Sequence, residues 1–305
     1  MKQSIFVTGA SGCVGHYLLK QLLLLADVKL YLLVRGSSKF LLDLSGYQQV
    51  TIIHGNLATI EKHRELIGQM DYIIHLATSW APSSGARQYN VEGTMKLFGC
   101  CDLERCKRII YFSTASILNS THQPIDLSHT EGSWYIRTKR EAYDQIQTLP
   151  IYPKIVTMFP TMVIGGNDET PYSHILDGIR LYSGWLSWLR FFSLPGSFHF
   201  LHAADIATVV CHLLFKDTVK PTYVLGGRVF QFSEAIRDLC TCFSYSFKGW
   251  IKISTGFLKG VARLLPKRVG PWERYCLDHL DMVYDTVEPR TFGLVTKYPT
   301  FPSFL

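Results

Sequence analysis

Short apolar runs alternate with amphipathic stretches through the first half of the chain. Ser4–Thr8, Leu30–Val34, Val50–His54, Tyr72–Leu76, Arg108–Ser113 and Ile155–Phe159 predict strands. Val14–Ala26, Glu61–Gln69, Asn90–Leu103 and Tyr135–Thr148 predict the helices between them. Strands apolar along their whole length, each followed by a helix, predict a parallel sheet covered on both faces, the doubly wound α/β arrangement. Past about residue 165 the pattern loosens. Residues 178–201 are apolar but broken by Gly, Ser, Arg and Pro, and then 203–215 predict a helix, 222–226 a strand and 233–243 another helix. The expected organisation is a core over 1–165 and a smaller C-terminal lobe over 166–305, partly interleaved with the core.

One turn in this core carries specific chemistry. Thr8-Gly9-Ala10-Ser11-Gly12-Cys13-Val14-Gly15 follows the first strand and opens the first helix. The first glycine permits the tight turn, the second lets backbone N–H groups approach a pyrophosphate, and the third allows close helix–strand packing. The helix N-terminus adds unpaired donors and a positive dipole end. In this strand–turn–helix context the motif points to a Rossmann fold. An acid about 20 residues further on would bind a ribose 2′-hydroxyl, whereas an Arg accommodates a 2′-phosphate. The second strand runs into Arg35, and no acid occurs before Asp43. Arg35, helped by Ser37, Ser38 and Lys39, therefore favours NADP and leaves NAD open.

These residues and several later motifs resemble the extended short-chain dehydrogenase/reductase family, whose members include nucleotide-sugar epimerases, dihydroflavonol reductases and 3β-hydroxysteroid dehydrogenases. The resemblance covers roughly residues 4–235. The turn at 8–15 matches TGxxGxxG. His54-Gly55-Asn56-Leu57 is similar to the adenine-contacting GDL segment, with an amide replacing the acid, and His75-Leu76-Ala77-Thr78 to the strand end that passes the ribose. Asn90-Val91-Glu92-Gly93-Thr94 resembles a helix start, N-V-x-G-T. Phe159-Pro160-Thr161-Met162-Val163-Ile164-Gly165 resembles RPxxVxG beside the nicotinamide, with Phe159 in place of Arg. The segment 200–207, containing Asp205, is similar to the one that anchors the later lobe.

Tyr135-Ile136-Arg137-Thr138-Lys139 is the family's YxxxK, and aligning the end of the preceding strand puts Thr114 at the family's serine position, with Ser113 or Ser116 as alternatives. Moving a hydride on or off a carbinol carbon requires a proton to move on or off its oxygen. A tyrosine hydroxyl, with a pKa of about 10, needs a nearby ammonium to act as a base at neutral pH. Four residues apart on a helix, Tyr135 and Lys139 share a face. The resemblance implies that Lys139 also binds the nicotinamide ribose and that Thr114 holds the substrate oxygen. It also implies that Thr8, Gly9, Ser11, Gly12, Cys13, Val14, Gly15, Asn56, Leu57, Leu76, Ala77, Thr78, Pro160 and Val163 line the cofactor.

Composition narrows the classes. Of 305 residues 47% are hydrophobic and 18% charged, enough for a buried core and unlike a disordered chain. The net charge of +7 favours anionic partners without naming one. The eight cysteines form no zinc spacing, so reduced thiols and no metal site are expected. The first residues fit no secretory signal, and a cytoplasmic location is expected. No basic, aromatic-interleaved surface points to nucleic acid. The aromatics of 179–201 fit either an apolar pocket or a lobe core. The stretch 247–268 holds six basic residues and no acid on near-helical apolar spacing. The favoured arrangement is a helix with its apolar face on the lobe core, and the other is a peripheral membrane contact.

The expected activity is thus an NADP-dependent oxidoreductase interconverting an alcohol and a carbonyl on an apolar small molecule. A nucleotide-sugar epimerase or dehydratase with tightly held NAD is the alternative, and a non-catalytic dinucleotide-binding scaffold is a third. A homodimer is compatible with all three.

Overall fold

The computed structural model describes residues 2–35, 40–80, 84–126, 133–264 and 271–300. Its first half is built from β1 (Gln3–Thr8), α1 (Cys13–Leu22), β2 (Val28–Val34), β3 (Val50–His54), α2 (Arg64–Gly68), β4 (Tyr72–His75), α3 (Ser84–Arg87), α4 (Gly93–Gly99), β5 (Arg108–Phe112), α5 (Trp134–Ile146) and β6 (Ile155–Pro160). The second half adds β7 (Met162–Ile164), α6 (His174–Leu181), α7 (Leu186–Leu189), β8 (Phe192–Ser193), β9 (Ser197–His202), α8 (Ala203–Phe215), β10 (Thr222–Leu225), β11 (Val229–Gln231), α9 (Phe232–Cys242), β12 (Ile251–Lys252), α10 (Thr255–Leu264) and α11 (Pro271–Asp278).

Seven strands form one sheet in the order β10-β6-β5-β4-β1-β2-β3. Every pairing in it is parallel. This is the doubly wound Rossmann arrangement, with the order reversing between β1 and β4, and the crevice at that reversal is where such sheets bind ligands. One face of the sheet packs on α1 and α8 through Leu18, Leu22, Val209 and Leu213. The other face packs on α4 and α5 through Phe98, Tyr111 and Ile146. Strand β10 and helix α8, both late in the chain, thus complete the core sheet and its cover. A three-stranded sheet, β11-β9-β7, carries the lobe.

Local differences from the sequence expectation have local causes. Helix α1 ends at Leu22 because Leu24 and Leu25 donate to carbonyls only three residues back, which tightens the last turn. Strand β3 is an exposed edge strand, since β2 covers it on one side only. The predicted helix at 61–69 is a 3-10 segment, Leu57–His63, running into α2. The helix predicted from Asn90 begins earlier, at α3, and passes through a π-turn over Gln88–Glu92 before α4. Only Thr255–Leu264 within 247–264 is helical, because residues 251–252 pair with β8 instead; residues 265–268 lie outside the described residues. Among the described residues no helix is long and apolar enough to cross a membrane.

Candidate active site

The glycine turn is set by contacts that only hydrogen side chains allow. Gly9 has φ of +77°, and a Cβ there would lie 2.6 Å from the Ala77 nitrogen. A Cβ on Gly15 would lie 2.3 Å from the Gly9 oxygen, so α1 can sit this close to β1 only with glycine. Gly12 is the N-cap of α1 and supplies no side-chain cap, which leaves the first N–H groups at Cys13 and Val14 available to an anion. Cys13 sits beside Gly165, where a Cβ would lie 3.3 Å from its sulfur, and burial pushes its thiol up to about 12. The turn therefore fits a dinucleotide pyrophosphate, with the backbone at Ser11–Val14 as the cradle.

Thr8 lies beneath this turn, fully buried, in a directed chain of hydrogen bonds. The Ala77 N–H donates to Thr8 Oγ1 at 3.3 Å. Thr8 Oγ1 lies 2.6 Å from His75 Nδ1, and His75 Nε2 lies 2.8 Å from Thr94 Oγ1. Thr94 in turn donates to the Asn90 carbonyl at 2.8 Å. Because Thr94 spends its proton there, it accepts from Nε2–H, which assigns the Nε2 tautomer and leaves Nδ1 to accept from Thr8. Burial, and then the charge of Lys139, push His75 from the ordinary 6.5 down to about 3. Its folded pKa is lowered, so between those values the unfolded chain binds more protons, and stability falls as the pH drops below about 6.5. Urea unfolding should lose up to about 1.4 kcal/mol per pH unit through this group, and His75→Gln should flatten that slope. An unchanged slope in the variant would assign the acid lability elsewhere.

Asn90, within the π-turn, ties the next segment to helix α5. Its amide oxygen accepts from Thr78 Oγ1 at 3.1 Å and Ser79 N at 2.7 Å. Its amide nitrogen donates to the Ser79 carbonyl and to Thr138 Oγ1 on α5, both at 2.9 Å. The strand end Leu76-Ala77-Thr78 is thereby fixed relative to Tyr135 and Lys139. In the sequence, the N-V-x-G-T match marks Asn90 only as part of a helix start.

Helix α5 is capped by Ser133, which accepts from Ile136 N at 3.4 Å. It buries Ile136, Lys139, Ala142 and Ile146 on one face. Lys139 is only 2% exposed, and its Nζ donates to the Phe112 carbonyl at 2.7 Å. Burial brings its pKa down to about 7. Tyr135 lies within hydrogen-bonding reach of Thr114, whose hydroxyl also donates to Ser116 Oγ at 3.2 Å. Ser113 Oγ is buried without a hydrogen-bond partner among the described residues. The indole of Trp80 stacks on the Tyr135 ring with centroids 3.7 Å apart and planes 14° apart, and meets His174 edge-on at 4.8 Å. Nothing in the spacing of the sequence marks Trp80.

The expected lowering of the Tyr135 pKa by Lys139 is not what this arrangement produces. Burial raises it, and only the Thr114 hydrogen bond opposes that. Tyr135 therefore holds its proton at neutral pH.

The other residues expected on the cofactor side take the following places. Asn56 Oδ1 caps the following turn by accepting from Ala58 N at 2.9 Å. Leu57 is buried, and a Cβ on Gly93 would lie 2.7 Å from its own Cβ. Pro160 ends β6 and Val163 sits in β7. Arg35 follows β2 and is exposed, whereas Ser37, Ser38 and Lys39 lie outside the described residues. Asp205 accepts from Lys297 N at 2.8 Å and Tyr298 N at 3.3 Å, anchoring the C-terminal segment on α8. Of the apolar stretch 179–201, Leu186 enters a small core with Ile236 and Cys240, while Trp185 and Trp188 face outward.

The model of the NAD dependent epimerase/dehydratase family matches residues 5–226. The chain belongs to this family. As an NAD(P)-dependent enzyme of the extended short-chain dehydrogenase/reductase type, it is 28% identical over 144 residues to L-2-aminoadipate reductase of Schizosaccharomyces pombe. That match takes in 39% of the chain and only 10% of the much longer reductase. Among solved structures, gox2253 superposes with a TM-score of 0.72 at 19% identity, covering 93% of this chain and 90% of that one. The Bordetella bronchiseptica enzyme WbmG in complex with NAD gives 0.70 at 14% identity, with 100% and 92% covered. The Bacillus anthracis dTDP-glucose 4,6-dehydratase in complex with NAD gives 0.65 at 15%, with 99% and 94% covered. These similarities establish the fold.

Proposed function

We propose that this family member is an NADP-dependent oxidoreductase that interconverts an alcohol and a carbonyl on an apolar small molecule. The observation that carries the reading is the Tyr135 hydroxyl, held against Thr114 beneath the Trp80 ring, with its proton retained by burial. When bound, the nicotinamide supplies or accepts the hydride. Thr114 orients the substrate oxygen, and Tyr135 delivers its proton to that oxygen as the carbonyl becomes an alcohol, or takes it back in reverse. Lys139 lies on the same helix face and, fixed by the Phe112 carbonyl, offers its remaining N–H donors to the cofactor ribose. Trp80, stacked on the Tyr135 ring, and His174, edge-on to the indole, give this part of the site aromatic surface, which suits an apolar substrate.

Two lobe arginines of the kind a sugar-nucleotide pyrophosphate would need hold other partners, which supports the apolar reading. Arg228 pairs with Glu234 at 2.5 Å, and Arg190 stacks on Phe191 at 4.7 Å. For the cofactor, Arg35 at the end of β2 supports NADP. Arg35→Ala should weaken NADP binding by about 10- to 100-fold, the worth of one or two charged hydrogen bonds, and change NAD binding less than about threefold. Titration of both cofactors, followed by a panel of apolar ketones and aldehydes monitored by cofactor absorbance, tests the reading. Turnover of a nucleotide sugar, with NAD retained through purification, would replace it.

A further inference from the structure

The lobe turns outward the groups that a soluble surface normally hides. Trp185, Trp188 and Trp250 are 66%, 74% and 72% exposed. Three indoles at this exposure leave on the order of 400 Å² of aromatic surface open, the size of the largest patch on an ordinary monomer. Trp185 and Trp188 lie three apart and point away from Leu186 and Leu189, which pack toward α9. The segment carrying them adjoins the one carrying Trp250. Lys248 N and Gly249 N donate to the Arg190 carbonyl at 2.8 and 3.0 Å, and the Trp250 ring lies 5.7 Å from that of Phe191. Two residues after β12 the chain enters helix α10, which packs against α11.

Helix α10 reverses the packing expected of it. Phe257, Val261 and Leu264, at i, i+4 and i+7, form an exposed stripe, and Leu264 is 81% exposed. Ala262 is the buried residue of the helix. The apolar face is thus available to a partner instead of being spent on the lobe.

Charge selects that partner. Residues 178–192 and 243–264 contain no Asp or Glu, but hold Arg180, Arg190, Lys248, Lys252, Lys259 and Arg263. Lys259 pairs with Asp278 at 2.7 Å. A second copy docking through this face by two-fold symmetry would set these cations against themselves. An anionic bilayer surface matches both features: its headgroups take the cations, and its interfacial zone takes indole rings and the apolar stripe. We propose that this face, comprising 181–188, Trp250 and the outer stripe of α10, docks the protein on anionic lipid as a peripheral contact. The proposal does not depend on which alcohol or carbonyl the enzyme uses.

Flotation of the whole chain with vesicles of phosphatidylglycerol and phosphatidylcholine, against phosphatidylcholine alone, tests this. The protein should partition at least about tenfold more strongly onto the anionic vesicles, and about 0.5 M salt should remove most of the difference. The double variant Trp188→Ser/Trp250→Ser should lose at least about tenfold in partitioning while keeping its far-UV circular dichroism and urea midpoint. Lys248→Glu/Lys252→Glu should lose a similar factor, from roughly fivefold per cation before the added acids are counted. Absence of flotation, or flotation equal in the folded variants, overturns the proposal. So does a dimer seen by light scattering that the tryptophan variant abolishes, since the face would then belong to a second copy.

Discussion

Tyr135→Phe should lower turnover by about 10²- to 10⁴-fold, the usual contribution of a positioned general acid, while leaving cofactor affinity within about twofold. Removing one oxygen leaves intact the Trp80 stacking, the α5 backbone and the Lys139 bond to Phe112, so the loss should be confined to the proton. Steady-state rates on an accepted substrate and a cofactor titration of the same preparation check both halves. Thr114→Val should also be strongly impaired, since the Tyr135 hydroxyl would lose its partner, whereas Ser113→Ala should be close to neutral because that hydroxyl is buried and unpaired. If Tyr135→Phe keeps most of its activity, the proton comes from another group and the catalytic reading fails.

The largest effect on stability is expected at Gly9. Gly9→Ala meets two costs at once: a left-handed backbone at φ +77°, and a methyl group 2.6 Å from the Ala77 nitrogen. Left-handed strain costs about 1–2 kcal/mol, and forcing a methyl into a packed site about 1–3 kcal/mol. A total near 3 kcal/mol should appear as a lower urea midpoint. Neither the turn nor the β4 end can yield easily, since Thr8, His75 and Thr94 hold them together below. Cofactor binding should fall as well, because any relief displaces the backbone at Ser11–Val14. A variant with unchanged midpoint and affinity would mean that this turn is not as closely packed as described.

Much of the core was legible because its signals are local. A strand apolar throughout, a glycine at each of three turn positions, and a Tyr and Lys four apart each report a backbone conformation or a shared face within a few residues. The elements at 4–8, 30–34, 72–76, 108–113 and 155–159 were readable for that reason. The failures had non-local causes. An edge strand such as β3 has the same composition as an interior one, and only its place in the sheet exposes it. The π-turn at Gln88–Glu92 follows from the Asn90 clamp to Ser79 and Thr138, partners 11 and 48 residues away.

The sequence by itself determined a doubly wound core with a glycine turn suited to a dinucleotide, because periodicity and short spacing fix helix faces, strand ends and turns. Tertiary structure decided what the side chains experience. It buried Lys139 and His75 enough to lower both pKa values, buried the Tyr135 phenol so that it keeps its proton, and turned the apolar stripe of α10 away from the lobe. Burial and electrostatic environment are sums over neighbours brought together from distant parts of the chain, and no local pattern of residues contains them.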